Sequence, residues 1–136
     1  MRKLWLLPIL LVLGCNRPAE NKTDKINLLA DLTCRAINIR QQRFALANKI
    51  RFTQDTLAHP KDMADSIRLT SALNDYLIQK PILLKESLSL ADSIRKQLDL
   101  QVPYTDKVAE QKFNTKLDSL LRARGCVDTA GHPIEN

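Results

Sequence analysis

Arg40 and Arg43, His59 and His132, and the cysteines Cys15, Cys34 and Cys126 are the side chains in this 136-residue sequence best suited to chemistry beyond packing. The histidines are isolated beside Pro60 and Pro133, in a turn and near the C-terminus. No HxxxH, metal-spaced carboxylate set, CxxC, glycine-rich phosphate loop or GxSxG accompanies them. Several serines fall on helix surfaces, with no histidine positioned to activate them. Catalysis therefore finds no support, and neither a metal nor another cofactor is expected. Arg43 is the oddest residue, because it falls near the centre of an apolar helical stripe with Arg40 on its edge. One reading packs its aliphatic stem in the core and lets the guanidinium snorkel outward. A sharper one buries it in an ion pair with Asp75, the nearest acid once the chain turns back near residue 60, with Tyr76 as a further acceptor. A third gives Arg40 and Arg43 to a ligand.

The N-terminus carries a different kind of chemistry. Arg2 and Lys3 supply a positive start, Leu4 to Leu13 follows without a charge, and Gly14-Cys15 closes the run. Ten apolar residues span about 15 Å as a helix, half of the roughly 30 Å of a bilayer's hydrocarbon core. The segment reads as an export signal and not as a transmembrane anchor. Val12-Leu13-Gly14-Cys15 resembles the lipobox of bacterial lipoproteins, an aliphatic residue three before the cysteine and a small one beside it. The resemblance covers residues 1–15. It implies that residues 1–14 are a disposable signal peptide and that Cys15 becomes the lipidated first residue, a membrane anchor through its acyl chains. Asn16 in place of an aspartate implies the outer membrane, on its periplasmic side, where the cell has one.

With Cys15 lipidated, Cys34 and Cys126 are a pair in an exported chain, where disulfides persist. Helical rise places Cys34 about 36 Å from the hairpin tip and Cys126 about 28 Å from it, close enough for a bridge given a turn at Gly125. Such a bridge would stabilise the fold by roughly 4 kcal/mol in the chain-entropy view.

Three helical elements must position these groups. A polar spacer, 15–23, precedes a first helix from about Asp24 to Ala58, capped by Thr23 or Asp24 and stopped by His59-Pro60. Leu29, Leu32, Ala36, Ile39, Ala47, Ile50 and Leu57 form one stripe on it; Ile26, Ile37 and Phe44 form a second about 100° away. Two stripes imply two packing partners. The second helix starts near Lys61-Asp62 and runs to Gln101, with Met63, Ile67, Leu73, Leu77, Leu84, Leu88, Ala91, Ile94 and Leu98 close to a heptad that keeps register across Pro81. The proline implies a kink rather than two separate helices. Val102-Pro103-Tyr104 turns the chain into a third helix from about Thr105 to Ala123, with Val108, Phe113, Leu117 and Leu120 inward and Arg124-Gly125 as the stop. The expected fold is all-α: an antiparallel hairpin of two long helices with a shorter third packed at the open end, spanning 24–126. Residues 127–136 read as a disordered tail.

Ala64-Asp65-Ser66-Ile67-Arg68 recurs as Ala91-Asp92-Ser93-Ile94-Arg95 and is echoed by Leu117-Asp118-Ser119-Leu120-Leu121-Arg122. The offsets do not match the heptad, so the units face different ways, and they read as convergent helix chemistry. Residues 25–51 hold six cations against Asp31 alone. In a cytoplasmic chain that would suggest nucleic acid, but export argues against it. A solvated helix face, anionic headgroups or an acidic partner remain. The expectation is a lipid-anchored, extracytoplasmic, non-enzymatic helical interaction protein of the bacterial envelope, binding another envelope protein or a second copy of itself. The alternative is a small-ligand or inhibitor-type module with a site near Pro81 and Arg40/Arg43. A filled seam would argue against the latter, and an exposed apolar strip would favour a protein partner.

Overall fold

The computed structural model describes residues 22–134. Cys15, the expected signal segment and most of the expected spacer lie outside those residues. The elements are α1 (Lys22–Leu57), α2 (Met63–Gln101) and α3 (Lys107–Ala123). The expected all-α hairpin with a short third helix is the observed architecture, and α3 packs on α1 alone. None of the described helices is long and apolar enough to cross a membrane.

Each helix end has a local cause. α1 stops short of Pro60, its last carbonyls taken up by the amides of Ala58 and His59. Asp62 caps α2, its Oδ1 accepting from the Asp65 amide at 2.7 Å, while Asp65 reaches back to the Lys61 amide. Pro81 sits inside α2, which continues through it to Gln101. Asp106, and not Thr105, caps α3 by accepting from the amides of Val108 and Ala109. α3 ends in a Schellman turn: Cys126 donates to Leu121, Gly125 donates to Arg122, and Gly125 takes φ 68°.

The seam between α1 and α2 is a heptad on each side. Ile39, Leu46 and Thr53 are buried on α1; Leu69 and Leu90 are buried on α2, with Tyr76, Leu83 and Gln97 half-buried between and beyond them. This differs from the expected second-helix stripe, since Met63, Ile67, Leu77, Leu84 and Leu88 are exposed. The α2 sequence carries two adjacent apolar heptads, one through Leu83 and one through Leu84. Periodicity alone does not choose between them; packing against α1 takes the first and leaves most of the second exposed, with Leu73, Ile94 and Leu98 half-buried.

Towards the open end Ile26, Leu29 and Ala30 are buried, and Gln101 donates to the Lys25 carbonyl at 3.1 Å. The C-terminal segment differs from the expected disordered tail as far as residue 134. Val127 is buried and bridges Pro133, and Ile134 donates to Cys126. Gln41 of α1 donates to the Ile134 carbonyl. The Asp128 carboxylate closes this small hairpin by accepting from the amides of Ala130 and His132 at 2.8 Å each.

Candidate functional site

The second apolar stripe of α1 finds a partner only near the open end. Ile26 is buried, whereas Phe44, further up the same stripe, is 60% exposed. Phe44, together with Ala36, Ala47 and Ile50 of the first stripe, forms one wall of a groove of about 1070 Å³ that runs along the hairpin, with Leu46 at its base. Leu84, Ala91, Ile94 and Leu98, the displaced heptad of α2, supply the other, and Tyr104 stands at the open-end limit. The α1 residues lining it run from Ala36 to Gln54, a length of about 27 Å at helical rise. Leu84 and Phe44 are both exposed, so the trough is open to solvent between them.

Charge on this groove is one-sided. Arg40, Arg43, Arg51, Lys80 and Arg95 line it against a single acid, Asp99. Arg40 rests over the Phe44 ring, 5.6 Å from its centroid, and Arg43 donates to the neutral Ser87 hydroxyl at 3.0 Å. None of the five cations makes an ion pair among the described residues. Five carboxylates pair elsewhere: Glu86 with Arg35, Asp65 with Arg68, Asp92 with Lys96, Asp118 with Arg122 and Asp31 with Arg124. Hydrogen bonding by Arg68 and the Lys61 amide holds the Asp65 carboxyl below its ordinary value. The Asp92–Lys96 pair lowers the acid and raises the base.

The expected buried Arg43–Asp75 pair does not form. Both residues are exposed, and Arg43 reaches Ser87 instead. A helical side chain leans towards the N-terminus of its own helix. On α1 that direction is the open end of the hairpin, towards higher α2 numbers and away from Asp75. Arg40 and Arg43 line one concavity together with Lys80, and Pro81 is not among its lining residues. A smaller hollow of about 270 Å³, lined by Gln42, Lys49, Gln79 and Ile82 among others, lies on the other side of the seam.

Cys34 and Cys126 form a disulfide, with their Cα atoms 5.4 Å apart. Beside it Arg124 donates to Asp31 at 2.6 Å and to the Asn27 side chain at 3.1 Å. Asn27, Asp31 and Cys34 lie on a different stripe of α1 from Arg40, Arg43 and Ala47, so α3 is fastened away from the groove. Among the described residues no group of three or more His, Cys, Asp or Glu is placed to hold a metal. Comparison with known protein families, with curated proteins and with solved structures finds no match.

The groove's α2 wall is not legible in the sequence, although the cation excess of its α1 wall is. The wall residues Leu84, Ala91 and Leu98 were assigned to the core. A signal did exist, in that α2 has more apolar positions than one seam can use.

Proposed function

We propose that the chain is a lipid-anchored, extracytoplasmic helical interaction protein of the bacterial envelope and that it is not an enzyme. Cys15 holds it to the membrane through its acyl chains, and the hairpin presents its groove to another envelope protein. The observation that carries this reading is the uncovered apolar trough between α1 and α2, in which exposed Phe44 and Leu84 face each other across two helices. An apolar trough rimmed by charged side chains is a form that interaction surfaces commonly take.

A small-ligand module is the weaker reading. Such sites enclose most of their ligand, typically about 70–90% of its surface. Here the walls run for about 27 Å, a shape matched to a length of chain. The test has two arms in cells. Cys15→Ala should abolish lipid labelling and membrane fractionation; unchanged partitioning would refute the anchor. A photo-crosslinking residue in place of Phe44 should give a discrete protein adduct that the same residue in place of Thr115, exposed on α3, does not give. Identical patterns from the two positions would refute the groove as the interaction surface.

A further inference from the structure

We infer that the occupant of the groove is an acidic amphipathic helix of a partner protein, which lies between α1 and α2 as an additional helix of the bundle. This rests on the interaction reading above and specifies the chemistry of the partner. The shape argument comes first. The trough runs parallel to two helices over about 27 Å, the length of a helix of about 18 residues. Its walls carry apolar side chains on heptad positions, Leu84, Ala91 and Leu98, facing Phe44, Ala47 and Ile50. Knobs of that spacing accept the apolar stripe of a helix, with anchors at i, i+3, i+4 and i+7.

Charge then selects among the occupants. Five cations and one acid leave the groove at +4. A second copy docking face to face through the same groove would bring two +4 surfaces together, because a two-fold interface pairs a patch with itself. Like charges juxtaposed across an interface cost several kcal/mol, so self-pairing here is disfavoured. An acidic helix meets the opposite condition. No groove cation is in salt-bridge contact with a carboxylate among the described residues, Arg95 acting on Asp92 only at longer range, although five ion pairs form elsewhere on the chain between lysines or arginines and aspartates or glutamates. Arg40 parked on Phe44 and Arg43 on Ser87 are held by weaker neutral contacts that a carboxylate on the partner would replace. A membrane surface fits the charge but not the shape: a planar headgroup layer cannot follow a recessed trough whose base is Leu46.

The test uses the full chain in detergent micelles and a fluorescein-labelled peptide of about 18 residues, with leucine on heptad a and d positions and glutamate on e and g. A second peptide carries lysine in place of glutamate. By anisotropy at low salt the acidic peptide should bind at least about tenfold tighter than the basic one. Arg43→Glu with Arg95→Glu, both at exposed positions, should reverse that order. Phe44→Ser should weaken the acidic peptide without changing the order. Absent binding, equal binding of both peptides or indifference to the charge reversal would overturn the proposal. Three further outcomes would also overturn it. Loss of the acidic peptide when the micelles are doped with phosphatidylglycerol, but not phosphatidylcholine, would assign the groove to anionic lipid. Sedimentation showing a dimer that Phe44→Ser dissociates would assign it to a second copy. A basic or non-helical partner segment in the Phe44 cellular adduct would remove the acidic helix and leave the interaction reading standing, whereas failure to form any adduct would remove the interaction reading itself.

Discussion

Replacing both Cys34 and Cys126 with alanine removes a link between residues 92 apart in sequence. In the unfolded chain that link forbids all conformations in which the two sites are far apart. For a loop of about 92 residues the loss is about 15.6 cal/mol/K, or about 4.6 kcal/mol at 25 °C. With a urea dependence of about 1.5 kcal/mol per molar, the unfolding midpoint should fall by about 3 M. Circular dichroism in urea, on the oxidised chain and on the double variant, measures this directly. Hydrogen exchange locates it. α3 buries no residue fully and touches α1 alone, so without the bridge it is held by half-buried Phe113, Leu117, Leu120 and Leu121 and by Arg124. Its amides should lose protection well before those of the α1–α2 seam. A midpoint shift under about 1 M, or equal loss of protection in all three helices, would refute the view that the bridge acts by loop closure and by fastening α3.

The fold and the groove should separate by mutation. Leu29→Ala, at a fully buried position, should cost about 3 kcal/mol in urea unfolding, whereas Phe44→Asp should change stability by no more than about 0.5 kcal/mol. Arg124→Met removes the contacts to Asp31 and Asn27 and should cost about 1 kcal/mol, read as faster exchange of α3 amides with the seam unchanged. The C-terminal hairpin should respond to acid. The amides of His132 and then Ala130 hold the Asp128 carboxyl below its ordinary 3.8, so its contribution is fully present above that value and is lost as pH falls through the lower folded value. Amide shifts of Ala130 and His132 should therefore hold steady from neutral pH to about 4 and move only below it; a transition between neutral pH and about 5 would refute control by Asp128.

Proline, glycine and aspartate made the frame legible. Pro60 and Pro103 separated the three helices, Gly125 marked the end of the third, and the spacing of cysteines along helices of known rise brought Cys34 to Cys126. The seam was harder, because Leu83 and Leu84 are neighbours of equal hydropathy on stripes about 100° apart. Which one faces α1 is decided by tertiary packing and not by the α2 sequence. The same ambiguity hid the groove, whose wall is the heptad that the sequence offers for a core. Arg43 was legible as an anomaly in an apolar stripe, but its partner depended on the lean of the side chain along the helix, which a register count between helices omits. The ordered segment after Gly125 was missed because its cohesion comes from Asp128 turning on its own backbone, a local signal too short to register as periodicity.

That α3 touches only α1 also has a consequence for the order of assembly. α1 and α2 meet across residues 58–62, a closure that costs little chain entropy, while Cys34 and Cys126 must find each other across the whole of α2. The α1–α2 contacts nearest the turn close the shortest loops and cost the least chain entropy, while those at the open end, such as Gln101 to Lys25, span nearly as much chain as the disulfide. A chain still carrying free thiols should therefore keep the part of the trough nearer the turn, between Phe44 and Leu84, while the end beside Cys34 loosens first.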